Sequence, residues 1–392
     1  MVASSKWDRV MRIWHVGALP SPLEVNGMNA VIWPIAREQA VSGHQVALVL
    51  GEAPSSAAEA FAERGGIELI SIPASTWRYA PKALKSLLRS EPPDIVHMHS
   101  TYLPEQATLA RRLVRLGIPY VVTPHGGLNR QSKWLKKSLY VWLVERSRLR
   151  NSSAIAVLSD QEREAVHADV PRYKGMVRSV NNPVDLQNPL AHRWQGDVGA
   201  RRLVFLGRFH VVNKGLDLLS EIARSLPSVE FYLYGDQEDK TNKQFERLLR
   251  EFPENVHVHN PVFAAEKARV LSSSTMYIQT SRWEGFPISV AEAMYLGVPC
   301  AISDTIHLAK LFAAEDLGLI LPYNPEEAAA VLSEALAHPA SLLRWSQRAR
   351  TFAHKHFDPR AVASDYVDLY REVLMREKPA STDKVLDGPK KL

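Results

Sequence analysis

The sequence predicts an α/β protein of two doubly wound domains facing each other across a cleft. Three observations predict it. Short apolar runs alternate with helix-length amphipathic segments, the pattern of βαβ units and of a parallel sheet covered on both faces. The plan runs twice, and its halves are separated by Asn181–Gly199, where Pro183, Pro189, Gly196 and Gly199 sit in a stretch of little periodicity. The length, 392 residues, suits two or three domains of ordinary size.

In the first half, strand-like runs fall at Met11–Val16, Gln45–Leu50, Glu68–Ile72, Asp94–Met98, Tyr120–Thr123 and Ala154–Leu158. Helix-length segments at Met28–Ser42, Pro81–Arg89, Glu105–Leu116, Lys133–Arg148 and Asp160–Ala168 separate them. The second half has strand candidates at Arg202–Leu206, Glu230–Tyr234, Val256–His259, Met276–Gln279, Pro299–Ile302 and Leu319–Leu321. Its helices fit Leu216–Ser225, Asn242–Glu251, Ala264–Ser272, Ile288–Leu296 and Pro325–His338, and two more, near Ser341–His356 and Pro359–Met375, close the chain. The polar tail after Arg376 is expected to be disordered. Ligands of such sheets bind beyond the carboxyl ends of the strands, so motifs directly after a strand are where chemistry is to be sought.

Composition narrows the class. Hydrophobic residues at 46% and charged residues at 23% exclude global disorder, and 19 glycines with 25 prolines exclude a collagen-like chain. The single cysteine, Cys300, cannot form an internal disulfide or a CxxC metal site. No signal-peptide-like stretch opens the chain and no run of about 18 apolar residues occurs, so a cytoplasmic location is expected. The formal net charge of +6 is local: residues 130–150 hold Arg130, Lys133, Lys136, Lys137, Arg146, Arg148 and Arg150 against Glu145 alone. That is a patch rather than a nucleic-acid-coating surface, and no nucleic-acid-binding motif accompanies it.

The most informative string is SRWEGFPISVAEAMYLGVP, Ser281–Pro299. Pro287 suits a first helical position, and the free N–H groups after it make a phosphate site. Glu292, alone on an apolar helix, needs hydrogen bonds, which ribose hydroxyls would supply; the alternative is an internally paired glutamate. Glu284 in the preceding loop would grip sugar hydroxyls in the same cleft. In LGRFHVVNKGLDLL, Arg208 and Lys214 place two cations beyond a strand, suited to a departing diphosphate.

In the first half, Asn26 and Gly27 can take positive φ and let backbone approach a ligand, or form an ordinary turn. TPHGGLN, Thr123–Asn129, would project His125 into the cleft beside the flexible Gly126–Gly127 pair, as hydrogen-bond donor, acid/base group or satisfied structural histidine. The pairs His97/His99 and His257/His259 lack a completing ligand cluster, so they read as structural, and no metal site is expected. No GxSxG elbow or Walker motif is present. The basic segment 133–150 also carries Trp134, Tyr140 and Trp142; it reads first as a helix packed on the sheet and second as a contact with anionic membrane.

With these residues in hand, EGFPISVAE resembles the E-x7-E motif of family 4 retaining glycosyltransferases, which have the GT-B fold. The Gly-containing first turn, PHGG, GR…KG, YGD and SRWEGFP…AEAMYLGVP follow in the family's order over about residues 10–375. The PHGGLN stretch and its basic helix look like bacterial exopolysaccharide-type members. The resemblance implies transfer of a sugar from a nucleotide donor with retention at the anomeric carbon and no obligatory metal or cofactor. It implies that Arg208 and Lys214 hold the diphosphate and that Glu284 contacts the sugar. Gly285, Phe286, Pro287 and Ile288 would help cradle sugar and phosphates, and Glu292 would bind ribose. His125 with Gly126 would lie beside the sugar, while Asn26 and Gly27 approach the phosphates. It also implies that the last helix crosses back, giving an acceptor-side domain at 1–185, a nucleotide-sugar-binding domain at 186–357, a crossover helix at 358–376 and a tail at 377–392.

Three departures touch recognition: Asn26-Gly27 replaces paired glycines, Gln237-Glu238-Asp239 follows YGD, and Thr305-Ile306-His307 replaces a Gly-Gly loop. The leading expectation is a nucleotide-sugar glycosyltransferase, with UDP as default nucleotide and a glycan, lipid-linked or small-molecule acceptor. The alternatives are a nucleotide-sugar epimerase on a related scaffold and a non-catalytic nucleotide-binding protein.

Overall fold

The computed structural model describes residues 9–22, 28–73, 81–128, 145–186, 192–194, 196, 199–236 and 243–377. Two parallel sheets organise them. The first contains β1 (Arg12–Val16), β2 (Gln45–Leu50), β3 (Ile67–Ser71), β4 (Ile95–His99), β5 (Tyr120–Thr123), β6 (Ala154–Val157) and β7 (Met176–Ser179). Its spatial order is β3-β2-β1-β4-β5-β6-β7. The second contains β8 (Arg202–Leu206), β9 (Glu230–Tyr234), β10 (Val256–His259), β11 (Met276–Gln279), β12 (Cys300–Ser303) and β13 (Leu319–Leu321), in the order β10-β9-β8-β11-β12-β13. Each order reverses once, between β1 and β4 and between β8 and β11, which puts a ligand crevice at the carboxyl ends of those strands. The central strands are buried along their whole length, as β4, β5, β6, β11 and β12 all are. That burial is why they read as continuous apolar runs instead of alternating ones.

The helices in chain order are α1 (Asn29–Val41), α2 (Ser56–Gly65), α3 (Pro81–Ser90), α4 (Pro104–Leu116), α5 (Arg146–Arg150), α6 (Asp160–Asp169), α7 (Val211–Lys214) and α8 (Leu216–Ser225). They continue with α9 (Lys243–Glu251), α10 (Ala264–Ser272), α11 (Ile288–Leu296), α12 (Leu308–Glu315), α13 (Pro325–Ala337), α14 (Pro339–His356) and α15 (Pro359–Glu377). Four elements escape the sequence reading: α2, α7, α12 and β7. Helix α2 buries only Ala58 and Ala62, so it has no apolar stripe to betray it. Strand β7 lies at the sheet edge, partly exposed, and ends in Arg178 and Ser179.

Helix α15 returns to the first sheet, as the family resemblance implies. Its Val362, Tyr366, Leu369, Tyr370 and Val373 are all at most 1% exposed and join Val31 and Ile35 of α1, Ile13, Ile95 and Val121 in one cluster. Each large apolar side chain buried this way stabilises by about 1.5–3 kcal/mol before chain entropy is counted, so the helix is an integral part of the first domain's core. The segment between the two halves is anchored where described: Val184 N–H donates to Phe357 O at 2.8 Å, and the buried Trp194 donates through Nε1 to Ser274 O at 2.8 Å.

The basic run needs a correction. Residues 129–144, with Trp134, Tyr140 and Trp142, lie outside the described residues, as does the tail beyond Glu377. Arg148 is no surface cation. Its side chain and that of Glu145 are both 0% exposed and paired at 2.7 Å, with Gln106 Oε1 and Ser100 O taking the other guanidinium protons. Among the described residues no helix is long and apolar enough to cross a membrane.

Candidate active site

The second-domain wall is built by the loops after β8 and β11. After β8 the chain passes the exposed Arg208 and enters α7, whose last residue is Lys214. Gly215 follows with φ +63°, and a Cβ there would lie 2.0 Å from Thr280 O; Thr280 Oγ1 donates back to Lys214 O at 3.0 Å. Only glycine lets Lys214 pack this closely on the loop after β11. Lys214 Nζ then donates to Glu284 Oε1 at 2.7 Å, and Gln279 Nε2 (2.9 Å) and Ser281 Oγ (2.6 Å) converge on the same oxygen. Glu284 Oε2 has no hydrogen-bond partner among the described residues. Behind them Tyr277 donates to Gln279 Oε1, which fixes the amide so that its N–H groups face Glu284. The loop itself is braced by Arg282, whose two terminal nitrogens meet the Asp217 carboxylate at 2.8 and 2.7 Å.

Helix α11 starts directly behind Glu284. The sequence places Pro287 at the first helical position; in the structure it is the N-cap, with φ −79° and ψ 85° and no side-chain cap, and Ile288 is the first helical residue. The first amides of α11 therefore have no capping side chain, so an anion can take that place. Phe286 packs edge-on against Phe357 with ring centroids 5.5 Å apart, fixing the entry to the helix. Glu292 is buried at 7% exposure, but the expected need for ribose hydroxyls is already met: Lys267 of α10 pairs with its Oε1. This cation from a neighbouring helix is what the sequence reading missed.

The first-domain wall is the loop after β5. His125 (φ 52°) and Gly126 (φ +76°) are both left-handed. Gly126 N–H donates to Glu162 Oε1 at 2.7 Å, and Leu158 N–H to Glu162 Oε2 at 2.9 Å, so this buried carboxylate of α6 holds the loop. A Cβ on Gly126 would lie 2.7 Å from Gly285 Cα, so the two domains touch backbone to backbone between His125 and Glu284. Burial pushes His125 down to about 4, with Asn182 partly opposing, so the ring is neutral at pH 7. A ring that weakly basic is a poor general base, which leaves hydrogen bonding as its chemistry. His307, in the atypical Thr305-Ile306-His307 loop, lies against the Glu284 backbone with both ring nitrogens buried.

Of the residues singled out by sequence, the structure brings Lys214, Glu284, Gly285, Phe286, Pro287, Ile288, His125 and Gly126 around one crevice. Arg208 lies on the loop leading to it and Glu292 one helical turn inside. Asn26 and Gly27 lie outside the described residues, as do Gln237, Glu238 and Asp239. Sequence reasoning missed Glu162, Gln279, Ser281, Lys267 and His15. Glu162 carried a readable signal, standing three residues after the Ser159 cap. His257 bonds Glu230 Oε2 at 2.6 Å in a structural role, whereas His97 and His99 gain a third buried neighbour, His15, which spacing alone left unseen. Burial pushes Cys300 well above the ordinary thiol range, so it is inert.

Residues 26–180 match the family described as "Glycosyl transferase 4-like domain", and residues 192–352 match "Glycosyl transferases group 1". The chain is 25% identical over 382 residues to a GDP-mannose:cellobiosyl-diphosphopolyprenol alpha-mannosyltransferase of Xanthomonas oryzae, covering 93% of this chain and 97% of that protein. It is 27% identical over 243 residues to a UDP-Gal:alpha-D-GlcNAc-diphosphoundecaprenol alpha-1,3-galactosyltransferase of Escherichia coli, 57% of this chain and 60% of that one. Among solved structures, sucrose-phosphate synthase from Thermosynechococcus elongatus superposes with a TM-score of 0.72 at 18% identity, covering 93% and 99% of the two chains. Anabaena HepE in complex with UDP-glucose gives 0.72 at 15% identity over 92% and 100%. The chain belongs to the family 4 glycosyltransferases and has their GT-B fold.

Proposed function

We propose that the protein transfers a sugar from a nucleotide-sugar to a hydroxyl of a diphosphopolyprenol-linked saccharide, with retention and without a required metal. The observation that carries this reading is the Lys214–Glu284 contact beside the uncapped start of α11, opposite His125 across the Gly126–Gly285 junction. Lys214, Arg208 and the α11 amides supply fixed positive charge where a departing diphosphate gains negative charge, the task a divalent cation performs elsewhere. Glu284 Oε2 accepts donor-sugar hydroxyls, and Gly285, Phe286, Pro287 and Ile288 cradle sugar and phosphate. Glu292 shares its carboxylate between Lys267 and the ribose, and His125 lies beside the sugar.

Three donors already saturate Glu284 Oε1, which makes this carboxylate a weak nucleophile. That supports displacement on the same face of the sugar over a covalent intermediate. In this path the acceptor hydroxyl proton leaves with the nucleotide diphosphate as the glycosidic bond forms. The lipid-linked acceptor follows the chemistry printed for the Xanthomonas and Escherichia relatives. It would place the protein on the cytoplasmic face of a membrane, with Arg146 and Arg150 contributing to contact through segment 133–150.

The test is product analysis. GDP- and UDP-sugars are incubated with a polyprenyl-diphosphate disaccharide, with and without EDTA, and the new anomeric centre is read by NMR. A retained configuration unaffected by EDTA is expected. An inverted product, a strict metal requirement, or interconversion of the donor without acceptor would overturn the reading, the last in favour of an epimerase.

A further inference from the structure

Beneath His125 lies a row of buried rings that the chemistry above does not use. His15 Nδ1 of β1 is 3.0 Å from His99 Nε2 of β4, and His99 Nδ1 is 3.0 Å from His125 Nε2. Gln39 of α1 closes the far end, its amide 2.7 Å from His15 Nε2. Asn182 closes the cleft end, its side chain set against the His125 ring. Gln39, His15 and His99 are 0% exposed and Asn182 is 4% exposed. His97 lies tilted against His99, 3.9 Å between centroids, but bonds elsewhere, to Tyr370 at 2.6 Å and Thr123 at 2.7 Å. Each ring nitrogen of His15, His97 and His99 thus has a hydrogen-bond partner: His15 and His99 each other, then the Gln39 amide, His125, and the Tyr370 and Thr123 hydroxyls.

A neutral imidazole has one N–H and one lone pair. Three of them in series must carry the proton on the same nitrogen, or two N–H groups or two lone pairs would face each other. Burial holds all three below the ordinary histidine range, so a charged ring does not break this rule near neutral pH. The row thus has two states. With Nε2–H on every ring, Gln39 turns its oxygen to His15, and Asn182 Oδ1 is left buried and unbonded against the His125 ring. Turning the Gln39 amide over satisfies the Asn182 end. Its Nε2 then donates to His15, every proton moves to Nδ1, and His125 Nδ1–H meets the Asn182 oxygen. The Gln39 oxygen then comes to the Tyr370 hydroxyl, which lies against it. Which atom of a buried amide is oxygen is fixed by such networks.

We infer that Gln39, His15 and His99 are positioning residues that hold His125 as its Nδ1–H tautomer, so that it offers the donor sugar an N–H and not a lone pair. A sugar oxygen entering the cleft takes or shares the proton that Asn182 holds in its absence. The tautomer stands on the row alone; its use rests on the placement of His125 beside the sugar proposed above.

The test is 15N-histidine NMR on the full chain at neutral pH, with His125 assigned by comparison with His125→Ala. Protonated Nδ1 and bare Nε2 on His15, His99 and His125 is the expected result. Nε2–H rings, a tautomer mixture or protonated rings in the wild type would overturn the inference. In Gln39→Met, which removes the directing amide two rings away, the His125 signals are expected to move to a mixture. There kcat/KM for the donor should fall about tenfold, the effect of one lost hydrogen bond. Unchanged His125 signals would overturn the coupling. If Gln39→Met does not fold, the wild-type tautomers still decide the question. A changed tautomer with unchanged turnover would instead contradict the placement of His125 at the sugar, leaving the row intact.

Discussion

The two walls of the crevice solve the same problem with opposite electrostatics. The second-domain wall is made of paired charges: Lys214 with Glu284, Arg282 with Asp217, and Lys267 with Glu292. The first-domain wall is a lattice of neutral imidazoles and amides, its loop held by the Glu162 carboxylate, with the ion pair Arg148–Glu145 sunk beneath it. Charge belongs where a leaving group develops charge; a neutral, hydrogen-bonded surface orients a sugar without competing for it.

The buried pair is where this contrast breaks most expensively. Glu145→Ala leaves the Arg148 guanidinium uncompensated in the core, and such losses cost about 3–5 kcal/mol. Urea denaturation should show the loss, and a change under about 1 kcal/mol would mean that water reaches Arg148.

Removing charge from the other wall should spare folding and strike turnover. Lys214→Ala is expected to lower kcat by about 10²–10³ with little change in Tm, as measured by steady-state kinetics beside calorimetry. A large Tm loss with modest kinetic change would make the lysine structural.

The junction between the walls comes next. Gly126→Ala combines left-handed strain of about 1–2 kcal/mol with a methyl 2.7 Å from Gly285 Cα, so it should push the domains apart. The expected signature is a raised donor KM, with the far-UV spectrum unchanged.

A further effect is a pH dependence centred on the neutral wall. His15 and His125 are held at about 4, and His97 and His99 well below the ordinary value, chiefly by burial. The unfolded chain binds protons below about 6.5 that the folded domain refuses until lower pH. Stability should therefore be full above about pH 6.5 and fall as pH drops from there toward 4. Denaturation midpoints across that window should decline steadily; a flat profile would mean the rings are already charged or solvated.

The same contrast explains what could be read from sequence. The second wall was legible because its chemistry is local: Lys214 and Glu284 each sit in a short run directly after a strand, and a proline marks where α11 begins. The first wall was not. His15 and His99 are 84 positions apart and meet only because β1 and β4 are neighbours in the sheet. Lys267 reaches Glu292 across two helices, and nothing near either residue announces the other. Edge strand β7 and the alanine-rich α2 failed for a different reason, since an element that buries little leaves little periodicity behind.

The measurement that tests the central claim most directly is thermal stability against UDP-, GDP-, ADP- and dTDP-sugars, with and without EDTA, on the wild type and Lys214→Ala. A ligand at about 100 times its Kd adds roughly 2.7 kcal/mol. The charged wall predicts a rise selective for one nucleotide, unchanged by EDTA and lost in Lys214→Ala. No rise with any nucleotide-sugar, or one that needs a divalent metal and survives the loss of Lys214, would contradict it.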